Sequence, residues 1–181
     1  MDIAFDGQQD GERILFEIHP HAMIKQLAIA KIAAIALIFL TIGIVTSLVI
    51  AGIAISILIC AAGLWWNKLY FRDTRAFITD RRIMRFERVS PFMVAKRALF
   101  WNEALKAKAY QPNLLLHSLN IGTLTIEQQV QTEENVIVKN VHYAEDLANY
   151  IDKILFTFKN APGDITALKP FVPAPRGQRD A

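Results

Sequence analysis

The sequence predicts an integral membrane protein in which a transmembrane α-helical hairpin precedes a small β-rich domain closed by one amphipathic helix. Three observations predict it. Residues 32 to 66 form a run of 35 without Asp, Glu, Lys, Arg or His, which is a pattern suited to lipid. From Tyr70 the pattern changes to short runs rich in Phe, Ile, Thr and Val, the composition of strands. Near the end, Leu147, Ile151, Ile154 and Leu155 recur at the spacing of one helix face.

A single crossing needs about 20 apolar residues at about 1.5 Å each, so the uncharged run together with the apolar turns around Ile24 to Ala30 overshoots one straight helix. Two crossings fit, over 23–43 and 47–67, with the reversal among Thr41, Gly43, Thr46 and Ser47. Glycine relaxes the backbone there and the hydroxyls satisfy freed carbonyls. Gly52, Ser56, Cys60 and Gly63 recur at helical spacing and offer a small-residue stripe to Ala30 and Ala34 of the first helix. Packing within the hairpin is the simpler use of that stripe, and a homodimer seam is the other.

Cations set the orientation. Lys25 and Lys31 lie at the start of the first helix, Lys68, Arg72, Arg75, Arg81 and Arg82 follow the second, and the intervening turn is uncharged. By the positive-inside rule both termini face the cytoplasm, placing the chain in the cytoplasmic (inner) membrane. Trp65, Trp66 and Tyr70 fall where an interfacial aromatic belt is expected. The only cysteine, Cys60, is inside the second helix, so no intrachain disulfide forms. The segment before Ile24 is acidic and lacks the basic start and small-residue cleavage site of a secretory signal, so the hairpin is expected to be retained.

The net charge of +3 is unevenly distributed: residues 1–22 carry −4 and residues 67–100 carry +6. The basic block is juxtamembrane, which points to a membrane surface and away from nucleic acid. Residues 1–12, acidic and rich in Gln and Gly, are expected to be loosely ordered. Ile14 to His21 reads as a short strand ending at Pro20. His19 and His21 are two potential ligands with no third nearby, too few to hold zinc, and read as a turn at the membrane surface.

Strands are then expected on either side of Thr79-Asp80-Arg81, over Met93–Phe100, through the segment Trp101–Tyr110, over Ile121–Gln128 with Gly122 at a bend, and at Val136–Val138. In the Trp101–Tyr110 segment Leu and Ala alternate with Lys106, Lys108 and Tyr110. Gln111–Leu119 is a turn or short helix presenting Leu114, Leu115 and Leu119. Asn140 is positioned to cap the closing helix. Beyond Phe158 the density of proline and glycine predicts irregular chain. The organisation is therefore a segment 1–22 with a short strand, the hairpin 23–67, a cytoplasmic domain 68–158 and a disordered Pro-rich tail 159–181.

This order of elements resembles the small bacterial pleckstrin-homology-like membrane proteins that carry two N-terminal transmembrane helices. The residues carrying the resemblance are Glu17–His21 (EIHPH) before the first span, Phe77–Arg82 (FITDRR) at a strand turn, Leu99–Ala109, Leu114–Ile126 (LLLHSLNIGTLTI) and the closing segment Asn140–Leu155. The resemblance covers about residues 13 to 158 and implies a bent antiparallel β-sheet, or partly open barrel, plugged at one end by the C-terminal amphipathic helix. It implies no reaction. The turn Thr79–Arg82 is shorter than the basic loop with which eukaryotic pleckstrin-homology domains wrap phosphoinositides, so that ligand is not implied.

The expected function is a non-enzymatic, membrane-anchored binding or scaffold module. Arg72, Arg75, Arg81, Arg82, Arg85 and Arg88, with Lys96 and Arg97 beside them, are the candidate contacts to anionic lipid headgroups, where each surface cation contributes about 1 kcal/mol. The remaining surface is left for a membrane or cytoplasmic protein partner, or for a second copy. The sequence carries no HExxH, GxSxG or P-loop motif, and no clustered carboxylates. His117 and His142 read as structural, and no cofactor is implied. The alternative is a subunit of a membrane transport or pore complex, which needs polar lining that the spans lack.

Overall fold

The computed structural model describes residues 5–111, 114–130 and 135–173. They form two compact units. One unit comprises the described residues up to His19, Arg75–Phe86 and the described residues from Lys96 onward; the other comprises Pro20–Thr74 and Glu87–Ala95.

The helical unit is built on small residues. Helices α1 (Ala22–Val45) and α2 (Val49–Asp73) have 24 and 25 residues, and both are long and apolar enough to cross a membrane. At about 1.5 Å per residue each is about 36 Å long, against about 30 Å of hydrocarbon. The reversal is Thr46-Ser47-Leu48, with Ser47 left-handed at φ 59° and the Thr46 hydroxyl donating to the Ile42 carbonyl at 2.8 Å. Gly43 is not part of this turn as expected. It stays helical and meets Gly52, where a Cβ on Gly43 would lie 2.7 Å from the Gly52 Cα. Ser56 donates to the Ala36 carbonyl at 2.8 Å, and Gly63 faces the Ile32 side chain. The stripe expected on α2 therefore does face α1, through Ala36, Gly43 and Ile32 instead of Ala30 and Ala34. Ala36, Gly43 and Gly52 are buried, whereas Leu37, Ile38, Ile42, Ile50, Ile57 and Leu58 are exposed. Small residues inside and large apolar ones outside is the arrangement helices adopt in lipid.

The β unit begins before the helices. Strand β1 (Ile14–Ile18) pairs antiparallel with β2 (Arg75–Thr79), Ile18 opposite Ala76, so the helical hairpin is inserted between two adjacent strands. With β3 (Arg82–Ser90) and β4 (Met93–Phe100) they form a sheet of order β1-β2-β3-β4. A second antiparallel sheet contains β5 (Ala104–Tyr110), β6 (Ile121–Gln128) and β7 (Val136–His142), in that order. Helix α3 (Leu114–Ser118) precedes β6, and α4 (Ala144–Asn160) packs on β5 and β6. The sequence reading starts strand structure at Tyr70, but Tyr70–Asp73 is the last turn of α2.

The core joins Leu15 and Ile18 of β1, Ile78 and Ile83, Leu99, Trp101, Leu124 and Ile126 to the inner face of α4, where Leu147, Ile151, Ile154 and Leu155 are all buried. Trp101 is fully buried and donates its indole N–H to the Thr79 carbonyl at 3.0 Å, the partner a buried indole needs. A bulge between Ala104 and Lys106 turns Ala104 inward and leaves Leu105 exposed, whereas from Lys106 to Tyr110 the expected alternation holds, with Ala107 buried and Lys106, Lys108 and Tyr110 exposed. Gly122 sits at a register shift, as the sequence suggests, and a Cβ on it would lie 2.9 Å from that of Ala144, so glycine admits the first turn of α4. Asn140 does not cap α4; it takes φ 60° within β7, and Tyr143, also left-handed, precedes the helix without a side-chain cap. Glu145 and Asp146 in the first turn complement the helix dipole instead.

Both terminal segments are more ordered than composition suggests. Phe5 is buried, stacking on Phe77 with ring centroids 4.7 Å apart and meeting Phe86 edge-on. After α4, a 3-10 helix (Pro162–Ala167) leads into a strap in which Leu168 is buried, Phe171 donates its N–H to the Leu15 carbonyl at 3.3 Å, and its ring meets Phe16. Regular structure thus continues to Ala167, past the expected end at Phe158, while 168–173 are irregular as expected but packed, with Leu168 and Phe171 as the apolar anchors that proline-rich composition hides. The rest of the expected tail, 174–181, lies outside the described residues, as do the side chains of Leu114 and Leu115.

Because Gly43 and Gly52 touch backbone to backbone, Gly43→Val is expected to destabilise the hairpin by about 1–3 kcal/mol through overpacking. A lower thermal midpoint in detergent micelles checks this, with Gly163→Ala, whose Cβ meets open space, left unchanged as control.

Candidate functional site

The six candidate arginines fall into three pairs. At the end of α2, Asp73 takes both Arg72, Nε to Oδ1 at 2.7 Å, and Arg88, Nε to Oδ2 at 2.6 Å. Arg72 remains exposed, whereas the Arg88 side chain is nearly buried and also donates to the Pro91 carbonyl at 2.6 Å and the Ser90 carbonyl at 3.2 Å. Arg88 thus acts as a strut between the last turn of α2 and the β3–β4 turn.

The second pair lies where β2 begins. Arg75 is opposite Phe86 and Arg85 is opposite Ala76. Arg75 approaches Glu17 at 3.6 Å, lies over the Phe77 ring, and is half-exposed. Such a pair at a wet surface contributes little. Glu17 also takes His19 at 3.2 Å, while the Nδ1 of His21 accepts from the Met23 N–H and caps α1. The two histidines are thus employed separately, and among the described residues no group of three or more His, Cys, Asp or Glu converges.

The third pair, Arg81 and Arg82, sits at the β2–β3 turn and has split roles. Arg81 is exposed and donates to Gln9 at 3.1 Å. Arg82 is buried, with Nε and Nη2 each 3.0 Å from the Glu12 carboxylate and Nη2 also 2.5 Å from the Gly7 carbonyl. The Thr79 hydroxyl donates to Glu12 at 2.8 Å. With its donors turned inward, Arg82 is a structural residue holding the N-terminal segment against β2 and β3. Lys96 is likewise paired, with Asp6. Glu12 and Asp6 are the partners that a sequence reading misses, because they lie about 70 and 90 positions away in an acidic segment without periodicity.

Elsewhere in the β unit, a cleft of about 640 Å3 lies between α4 and the strap, lined by Tyr150, Lys153, Leu168, Lys169 and Phe171. Burial pushes the Tyr150 phenol up, and its hydroxyl donates to the Lys169 carbonyl at 2.7 Å. His117 meets Gln111, and His142 stacks on Tyr143. No nucleophile with a base in reach emerges from these contacts among the described residues.

Glu12 carries a pH dependence. Burial acts to raise its pKa, but the bonds from Arg82, the Gln9 N–H and the Thr79 hydroxyl, with the Arg82 charge, outweigh burial and hold it below the ordinary glutamate value. A carboxyl with a depressed folded-state pKa contributes stability above its unfolded value of about 4.3 and loses it as pH falls through the folded value. Thermal midpoints between neutral pH and this range are expected to fall on acidification, and to fall less for Glu12→Gln. Arg82→Ala strands the carboxylate and is expected to cost about 3–5 kcal/mol at neutral pH.

Comparison with protein families, with curated proteins and with solved structures gives no match to this chain.

Proposed function

We propose that this chain is an integral protein of the cytoplasmic membrane that holds a pleckstrin-homology-like module at the inner surface as a non-enzymatic binding or scaffold platform. One observation carries the reading: the strand before the helical hairpin pairs with the strand after it, Ile14–Ile18 against Arg75–Thr79. If α1 and α2 both cross the bilayer, two strands sharing one ladder require both ends of the hairpin on the same side. The positive-inside rule makes that side cytoplasmic, since Lys68, Arg72 and Arg75 follow the second span and the Thr46–Leu48 turn carries no charge.

Seven strands in two antiparallel sheets followed by α4 support the pleckstrin-homology-like reading of the module. Of the candidate lipid contacts, Arg72 and Arg81 are the exposed ones, and Arg75 and Arg85 are half-exposed. Arg72, Arg75 and Arg85, at the end of α2 and the start of β2, are the arginines we assign to anionic headgroups; Arg81 lies at the far end of β3 from Ser90, and Arg82 and Arg88 are bonded inward. The hydroxyls of Thr41, Thr46 and Ser56 all bond to backbone carbonyls inside the hairpin, which favours an anchor over the lining of a transport or pore subunit. Exposed Leu105 and Phe156 leave apolar contacts on the β unit for a protein partner.

Sidedness tests the reading in the full chain. With Cys60→Ala as background, single cysteines at Asp10, Ser47 and Asn102 are exposed to a membrane-impermeant maleimide in right-side-out and inverted vesicles. Asp10 and Asn102 are expected to react from the cytoplasmic face and Ser47 from the other. Reaction of Asp10 and Asn102 from opposite faces would overturn the topology. Photo-crosslinkers at Leu105 and Phe156 in cells are expected to capture a discrete protein partner; capture of none would count against the scaffold role.

A further inference from the structure

The β3–β4 turn is the most exposed apolar feature outside the helical spans. Phe92 is 97% exposed, Met93 55% and Val89 54%, with Pro91 exposed between them. Large apolar side chains clustered in water at a hairpin tip call for an apolar or interfacial partner.

The strand register says where the tip reaches. β3 places Phe86 opposite Arg75, the first residue of β2, and then continues four residues to Ser90. At about 3.3 Å per residue, this overhang carries the chain about 13 Å past the start of β2. It runs along the end of α2: Arg88 grips Asp73, and the Arg88 N–H reaches the Thr74 hydroxyl at 3.4 Å. Residues 87–95 belong to the same compact unit as α1 and α2. Going back along α2 from Asp73, Trp66 is seven residues away, about 10 Å of helix rise. Counted from the common point where Arg88 grips Asp73, the two strand residues to Ser90 carry the chain about 7 Å, against about 10 Å of helix rise to Trp66, which brings the tip towards the depth of the Trp65–Trp66 pair. Trp65 is itself 54% exposed, as a residue of an interfacial belt is.

The Arg88 strut fits that role. By donating to the Ser90 and Pro91 carbonyls it satisfies backbone acceptors at the tip that would otherwise have to stay in water. Asp73 is shared with Arg72, so one positive charge remains behind the apolar apex, carried by the exposed Arg72 and suited to the anionic layer.

We infer that the Ser90–Met93 turn is a third membrane contact, a wedge whose Phe92 side chain buries in the interfacial layer of the bilayer beside Trp65 and Trp66. The inference rests on the membrane reading of α1 and α2 and goes beyond it. Besides two spans, the chain has a β-hairpin foot that fixes the height of the overhanging strands above the lipid.

The test uses the full chain in nanodiscs of phosphatidylcholine with phosphatidylglycerol. With Cys60→Ala as background, an environment-sensitive fluorophore is attached to a single cysteine at position 92, 58 or 102, and quenching is read with lipids doxyl-labelled near the headgroup or deep in the chain. The label at 92 is expected to shift to the blue and to be quenched several-fold more by the shallow quencher than the label at Asn102. Leu58, exposed on the middle of α2, is expected to respond most to the deep quencher. A label at 58 that answers to lipid while the label at 92 behaves as in water overturns the wedge and leaves the anchor standing. No response at 58 overturns the anchor itself. A label at 92 shielded from water but untouched by either lipid quencher places a protein surface there and also overturns the wedge.

Discussion

The ladder between Ile14–Ile18 and Arg75–Thr79 is the constraint on which the rest depends. Two segments separated by the whole helical hairpin form one antiparallel pair, so the hairpin must bring the chain back to where it left. Closing a loop of this size costs entropy in proportion to the logarithm of its length. A stiff hairpin held by the Gly43–Gly52 contact reduces the conformations to be lost. The sheet and the hairpin therefore support each other through the covalent chain: tight helix packing returns the chain to β2, and β1 completes the first sheet.

Once β1 is in place, the terminal segments have surfaces to cover. The N-terminal segment lays Phe5 on Phe77 and Phe86, on the opposite face of β2 from Ala76 and Ile78 of the main core. That explains why four successive residues of β2 are buried, since both of its faces are covered. Glu12 and Arg82 pin this cover, with the remaining acceptor and donor sites filled by Thr79, Gln9 and Gly7. A buried pair survives desolvation only when its other hydrogen-bonding sites are satisfied in this way. At the free edge of β1, the strap with Phe171 donates to Leu15 and covers a backbone edge that would otherwise be open to pairing with another chain.

The same accounting divides the basic block. Nine lysines and arginines between residues 67 and 100 read as one patch when counted along the chain. In the fold, Arg82 holds Glu12 and Arg88 holds Asp73 in nearly buried pairs, and Lys96 meets Asp6 at the surface, so part of the positive charge is already compensated within the chain. What stays exposed is a smaller set, accompanied by an apolar turn that charge counting does not notice.

The sequence alone determined the elements whose signal is local. Two long apolar helices follow from an uncharged run too long for one, the places of most strands along the chain from period-two runs between turn residues, and the inner face of α4 from Leu147, Ile151, Ile154 and Leu155. Each of these depends on residues within a few turns of one another. Tertiary structure alone decided the pairing of β1 with β2, the assignment of Gly43 to packing instead of the turn, the Glu12–Arg82 and Asp73–Arg88 pairs, and the ordering of Phe5 and Phe171. These join positions far apart in the chain, and a lone Phe, Glu or Arg carries no mark of a partner until folding brings the two together and removes the water between them.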